Sequence, residues 1–283
     1  MTCKIISGLS AVVDNYDLFL VDQWGVLHDG FTVHPGAIDA MERLKSAGKK
    51  VIILSNSGKR LEDSYVRMEG MGIKQEYYDH VVTSGEQVHG HFKAGSDPFY
   101  QKLGKRYYIF TWDEGNKAVV KGVDKEEVDD IDNADFILCT GTNQGALDYY
   151  LPLLEKALKR NLPLICANPD FVSVQPDGSL SMCPGTVAKA YEDMGGNVRW
   201  HGKPTAEVYN FCKNLEPNSP RILGIGDSLK HDIKGANDAG GHSLFVIGGI
   251  HGNEATGTTE QQVAKLAKNY GIMPTYALDK FKW

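Results

Sequence analysis

Asp22 follows the apolar run Tyr16-Asp17-Leu18-Phe19-Leu20-Val21 and opens the turn Asp22-Gln23-Trp24-Gly25-Val26. A carboxylate exposed at the end of a buried strand is placed to act as a nucleophile. Far along the chain a second run, Arg221-Ile222-Leu223-Gly224-Ile225-Gly226, ends the same way in Asp227-Ser228, with Asp232 five positions on. In an open parallel α/β sheet, ligands bind outside the carboxyl ends of the strands, so acids that each follow a buried strand converge on one crevice. Like charges held close repel unless a cation compensates, and Mg²⁺ favours carboxylate oxygen, water and phosphate in octahedral geometry. The three acids point to a hard-metal site and to phosphate chemistry.

The elements that must position them alternate along the chain. A strand leads into Asp22, a helix is expected over 36–47, a strand over 50–54, a helix after Gly58 and a strand over 80–83. The tail repeats the theme, with strands over 222–225 and 242–247 and a helix over 233–239 between them. This βαβ order predicts an α/β fold with a Rossmann-like parallel sheet and helices on both faces. Between the two halves the alternation restarts, with strands over 107–111, 136–140 and 163–167 and a helix over 146–159. Residues 95–178 are therefore expected to be an inserted α/β domain, and residues 1–94 and 179–283 a discontinuous core.

With 283 residues, 42% of them hydrophobic, the chain is long enough for about two domains and apolar enough to bury a core in each. A net charge of −6 leaves no basic footprint for nucleic acid and favours a small substrate. The insertion carries most of that charge, with 9 Lys+Arg against 14 Asp+Glu over 95–178, and would not attract a large polyanion. Its densest acidic stretch, 124–135, reads as solvated surface rather than a metal site. Cys3, Cys139, Cys166, Cys183 and Cys212 form no Cys-x-x-Cys pair, and their odd number does not suit a disulfide framework. No run is long enough to cross a membrane, and residues 5–13 read as a short leading helix rather than a signal peptide. A cytoplasmic location is the expectation.

Four elements then stand in order: Asp22-Gln23-Trp24-Gly25-Val26, Ser55-Asn56 closing the run Val51-Ile52-Ile53-Leu54, Lys203 in His201-Gly202-Lys203-Pro204, and Gly226-Asp227-Ser228 with Asp232. This series resembles the haloacid dehalogenase superfamily. The inserted domain, with its segment Ala167-Asn168-Pro169-Asp170, is similar to the large cap of class IIA members, the NagD-type sugar and nucleotide phosphatases. The resemblance implies that Asp22 takes the phosphoryl group as an aspartyl phosphate. It implies that Ser55 and Asn56 hold phosphoryl oxygens, and that Lys203 offsets repulsion between Asp22 and an anionic substrate. It further implies a Mg²⁺ ion held by Asp22, the Trp24 carbonyl and Asp227, with Asp232 supporting directly or through water. In the cap, Asn168 and Asp170 match the segment that chooses the leaving group. An Asx turn around Pro169 is the structural alternative for both. A small phosphorylated metabolite is the implied partner, and the cap is a possible homodimer contact by the same resemblance. Lys59 and Arg60, and His28 and Asp29, lie near these motifs; for each pair a role in loop or helix structure stands beside a substrate role.

Trp24 departs from the pattern. Phosphatases of this superfamily usually carry a second aspartate two residues after the nucleophile, which protonates the leaving oxygen and then activates water. An indole N–H does neither. Such acid–base help is worth about 10²- to 10⁴-fold, so alkyl phosphate esters should be turned over slowly. Dehalogenation is disfavoured because dehalogenases of this superfamily need no metal, whereas Lys203, Asp227 and Asp232 are all kept. Phosphonate cleavage would need a cap lysine that nothing marks. The leading expectation is a Mg²⁺-dependent phosphohydrolase in which the leaving group needs no proton, or His28 or a substrate hydroxyl supplies one. A weakly active or regulatory phosphate-binding protein and a phosphotransferase are the alternatives.

Overall fold

A computed structural model describes residues 3–143, 145–175, 177–251, 254 and 256–283. The chain divides into two compact units. The larger is built from Met1–Ser55, Tyr65–Val82 and Lys203–Trp283, the smaller from Asn56–Ser64 and Thr83–Gly202.

Four strands come first: β1 (Lys4–Ile5), β2 (Leu18–Val21), β3 (Lys50–Ser55) and β4 (His80–Thr83). Seven follow in the middle of the chain: β5 (Arg106–Phe110), β6 (Glu126–Glu127), β7 (Phe136–Cys139), β8 (Leu164–Cys166), β9 (Val172–Val174), β10 (Leu180–Met182) and β11 (Val198–Trp200). The tail adds β12 (Ile222–Gly226), β13 (His242–Val246) and β14 (Tyr276–Leu278).

The sheet of the larger unit runs β1-β14-β13-β12-β2-β3-β4, and its neighbours from β1 through β3 are parallel. Its central strands are buried on both faces, which is why Leu18–Val21 and Ile222–Gly226 are apolar throughout rather than alternating. The helix Ala37–Ser46 buries Ala37, Ala40, Met41 and Leu44, the spacing of one helical face. Register does the rest. Val21 lies opposite both Ile225 and Ile53, so Asp22, Asp227 and Ser55 leave the sheet at the same edge, the carboxyl ends of adjacent strands.

The smaller unit has a parallel sheet in the order β11-β8-β7-β5-β6 and a separate antiparallel hairpin, β9–β10. Phe110, Ile137, Tyr150, Leu154 and Tyr191 belong to its core. This unit is wider than the expected insertion at 95–178. The helix Pro184–Asp193 supplies Val187, Ala188 and Tyr191 to that core, and β11 extends the sheet beside β8. The segment Asn56–Ser64 also belongs here. Thr83 Oγ1 donates to the Lys59 carbonyl at 2.8 Å, and the Arg60 guanidinium meets Glu86 through two bonds of 2.5 and 3.1 Å.

Three local expectations change. Residues 5–13 form no leading helix: Lys4 and Ile6 donate to the Thr275 and Ala277 carbonyls at 3.0 Å, making an edge strand, and short 3₁₀ turns follow. The helix expected over 146–159 is regular only over Leu151–Lys159, because Pro152 sits in its first turn, where a missing N–H costs nothing. The helix expected over 233–239 is preceded by a π-helical turn, Leu229–Ile233, and regular over Lys234–Asp238. In Pro176-Asp177-Gly178, which reads from its Pro, Asp and Gly as a turn, Pro176 lies outside the described residues. The acidic stretch 124–135 is largely exposed, with Asp124, Asp132 and Asp135 paired to Lys105, Lys156 and Arg106 at 2.7 to 2.9 Å. Among the described residues, no helix is long and apolar enough to cross a membrane.

Candidate active site

The edge set by β2, β3 and β12 gathers Asp22, Asp227 and Asp232, whose carboxylate oxygens lie within 4.8 Å of one another. All three are buried. Lys203, 3% exposed, places its ammonium 2.6 Å from Asp22 Oδ1 and 2.7 Å from Asp232 Oδ1, and donates to the Leu54 carbonyl at 2.9 Å. Leu20, Leu54 and Ile225 form the apolar floor around it. The ammonium therefore ties the end of β3 to two of the three acids. Asp227 is held differently: its Oδ2 accepts the Ile250 N–H at 2.7 Å.

Two unit charges about 4.8 Å apart repel by roughly 3 kcal/mol at an effective dielectric constant of about 20. With three such charges and one ammonium, ionisation of every acid leaves two negative charges unmatched. The strain falls on Asp227. Burial first, then the charges of Asp22 and Asp232, push its carboxyl well above the ordinary carboxylate range, against the pull of the Ile250 N–H and Lys203. For Lys203, burial alone would depress the ammonium, but Asp22 and Asp232 outweigh it and hold it above its ordinary value. The donor set is hard oxygen, and its surplus charge matches a divalent cation. Gly25, at φ +81°, leaves the room this needs, since a Cβ there would fall 2.0 Å from Asp227 Oδ2. The residues fit Mg²⁺.

Trp24 sits two residues past Asp22 and is half-buried. Its indole rim fills the space that a side chain at Gly30 would occupy, with a Cβ there only 2.2 Å from Cη2. The His28 ring meets the indole edge-on, with centroids 5.9 Å apart. His28 is 1% exposed, and its Nδ1 accepts the Gly30 N–H at 3.0 Å, so the ring proton belongs on Nε2. Burial, aided by the positive charge of Arg67, pushes its pKa down to about 4. A neutral imidazole whose lone pair is already taken is neither an acid nor a base at neutral pH, which removes His28 as the substitute proton donor. Asp29 shapes the loop, accepting the Phe31 and Thr32 N–H groups at 2.9 and 2.7 Å.

The expected phosphate and leaving-group residues fall into two clusters, one per unit. Ser55 ends β3 at the sheet edge where Asp22 and Asp227 leave their strands, and is 7% exposed. Asn56, Asn168 and Asp170 come together in the smaller unit. The Asn56 amide donates to Asp170 Oδ1 at 2.8 Å, and the Asp170 N–H donates to Asn168 Oδ1 at 3.0 Å, closing an Asx turn around Pro169. Lys59 pairs with Asp113 at 3.1 Å and Arg60 with Glu86, so both are engaged by acids of their own unit. The Ile250 N–H and the Leu54 carbonyl were not legible as site groups. Gly248-Gly249 after β13 is the one sequence signal that a backbone group approaches closely there.

A family model described as haloacid dehalogenase-like hydrolase matches residues 19–126, and one described as HAD-hydrolase-like matches residues 200–272. The chain is 25% identical to a 4-nitrophenylphosphatase of Schizosaccharomyces pombe, covering 94% of this chain and 92% of that one. It is 22% identical to the ribonucleotide monophosphatase NagD of Escherichia coli over 80% of this chain and 84% of the relative. Among solved structures, a haloacid dehalogenase-like hydrolase from Brucella suis superposes with a TM-score of 0.81 at 29% identity, covering 98% of this chain and all of the other.

Proposed function

The chain belongs to the haloacid dehalogenase superfamily, and from that premise we propose that it is a Mg²⁺-dependent phosphohydrolase acting on a small phosphorylated metabolite through an aspartyl phosphate on Asp22. The observation that carries the reading is the buried cluster of Asp22, Asp227 and Asp232 around a single ammonium. When bound, Mg²⁺ would neutralise that surplus and draw phosphoryl oxygens toward Asp22. The groups suited to hold it are the Asp22 and Asp227 carboxylates and the Trp24 carbonyl, with Asp232 in support.

Lys203 fixes the Asp22 carboxylate and lowers the cost of bringing an anionic phosphate to it. The carboxylate attacks phosphorus, the phosphorus–oxygen bond to the leaving group breaks, and that oxygen departs with its electron pair. Water then attacks phosphorus, releases phosphate and regenerates Asp22. Ser55, at the end of β3, supplies a hydroxyl to the phosphoryl oxygens, and the Asn56–Asp170 pair of the smaller unit shapes the choice of leaving group as part of a cap. Trp24 and His28 offer no proton, so aryl, acyl and anhydride phosphates, whose oxygens leave as stable anions, should outrun alkyl esters. The same lack of a base favours a second reading, in which the aspartyl phosphate is long-lived and passes its phosphoryl group to an acceptor other than water.

The test is phosphate release from a panel of alkyl, aryl and acyl phosphates with Mg²⁺, beside a chelator control and Asp22→Asn. Metal-dependent release, greatest for the best leaving groups and lost in Asp22→Asn, is expected. Release that survives Asp22→Asn contradicts the proposal. Stoichiometric labelling without turnover favours the phosphotransfer reading.

A further inference from the structure

We propose that Tyr209 is a positioning residue for the metal-binding carboxylates, acting through the π-helical turn that carries Asp232. The proposal rests on the phosphohydrolase reading above and adds to it a residue that no motif marks.

Tyr209 lies on the helix Ala206–Leu215, which begins just after Lys203, and is 2% exposed. Its ring lies against Gly235 so closely that a Cβ there would fall 2.4 Å from Cε2. The hydroxyl donates to the Asp232 carbonyl at 3.2 Å and lies 3.5 Å from the His231 carbonyl. Both carbonyls belong to the turn Leu229–Ile233, where the Asp232 and Ile233 N–H groups converge on the Ser228 carbonyl at 2.9 and 3.2 Å. A π turn of this kind is rarer and less regular than α-helix, and gathers at functional sites. Here it turns the Asp232 carboxylate back on the strand end. Oδ2 accepts the Ser228 N–H at 3.1 Å, and Oδ1 meets Lys203 at 2.7 Å.

Tyr209 therefore fixes the backbone of the residue whose side chain, with Asp22, grips Lys203, and it borders the same narrow pocket as those three. A phenylalanine would fill the space equally well. What the tyrosine adds is one donor aimed at the turn, and a buried hydroxyl is costly unless it is used. Burial and the Asp232 charge keep that hydroxyl protonated by raising its pKa well above the ordinary phenol value.

The test is Mg²⁺ binding by calorimetry to the whole chain and to Tyr209→Phe, alone and combined with Asp232→Asn. Groups that orient metal ligands typically change metal affinity by about 10- to 100-fold, so Tyr209→Phe is expected to weaken Mg²⁺ binding about tenfold. The effect should vanish in the Asp232→Asn background, because the two act in series. With 4-nitrophenyl phosphate, kcat at fixed Mg²⁺ should fall while KM barely moves. Unchanged Mg²⁺ affinity in Tyr209→Phe, or an equal loss in the Asp232→Asn background, overturns the proposal while leaving the phosphohydrolase reading intact. Failure of the unaltered chain to bind Mg²⁺ overturns both. A measurement on the unaltered chain guards against misfolding of the variant: the Tyr209 hydroxyl should give a slowly exchanging proton resonance that shifts on Mg²⁺ binding, and a fast-exchanging hydroxyl contradicts the inference.

Discussion

Asp22 and Asp227 end adjacent strands in the same way, and the protein treats them oppositely. Asp22 receives the buried ammonium of Lys203 at 2.6 Å, whereas Asp227 accepts the Ile250 N–H at 2.7 Å and lies among like charges. Burial and those charges push the Asp227 carboxyl upward, so ionising it without a cation is costly. The difference teaches a division of labour. On the phosphohydrolase reading, a lysine orients the carboxylate proposed to attack phosphorus, and the one proposed to bind metal is left short of positive charge until the ion arrives.

The contrast breaks most sharply in activity. Asp22→Asn removes the proposed nucleophile and is expected to lower turnover by about 10⁴-fold or more, as single losses from covalent machinery do. Asp227→Asn should instead abolish the response to Mg²⁺ while Asp22 remains in place. Phosphate-release assays across a Mg²⁺ titration separate the two. Next comes the position between them in chemistry, Trp24. Trp24→Asp supplies the missing proton donor and should raise turnover of alkyl phosphate monoesters by about 10²-fold, the lower end of what general acid–base help provides. A flat rate with Mg²⁺ binding intact contradicts the role assigned to Trp24.

Smaller effects sharpen the picture through stability. His28 is held at about 4 in the fold against an ordinary value of 6.5. A depressed pKa gives stability that is present above the unfolded value and drains away as pH falls toward the folded one. The window is therefore pH 6.5 down to about 4, and the gap corresponds to on the order of 3 kcal/mol. Denaturation midpoints of His28→Gln should lack that acid decline. Mg²⁺ at about 100 times its Kd should stabilise the unaltered chain by about 2.7 kcal/mol, and Asp227→Asn should lose this gain. At the far end of the scale, Lys59→Ala breaks a half-exposed pair with Asp113 and should cost no more than about 1 kcal/mol in a urea melt.

Much of this was legible because the informative residues punctuate buried strands. Asp22 and Asp227 stand directly after apolar runs, so their place at the sheet edge follows from local pattern, and Lys203 was found through its motif. What stayed hidden depends on contacts between distant parts of the chain. The Ile250 N–H on Asp227 is a backbone group with no sequence mark. The Asn56–Asp170 bond joins residues far apart in sequence, so nothing local to either residue announces it. The smaller unit also outgrew its expected limits. The segment Asn56–Ser64 and the stretch containing Pro184–Asp193 join it through packing and sheet pairing that no composition shift announces. The π turn before Lys234–Asp238 changes helix period over five residues, too few for periodicity to reveal.

The most direct measurement is the covalent state of Asp22 during turnover. The chain is incubated with an aryl phosphate and Mg²⁺, quenched with borohydride to reduce any acyl phosphate, and mapped by peptide mass spectrometry. Reduction confined to residue 22, lost with chelator and lost in Asp227→Asn, is the expected result. Turnover proceeding with an unmodified Asp22, or a label that forms equally well without Mg²⁺, contradicts the division of labour between the two aspartates.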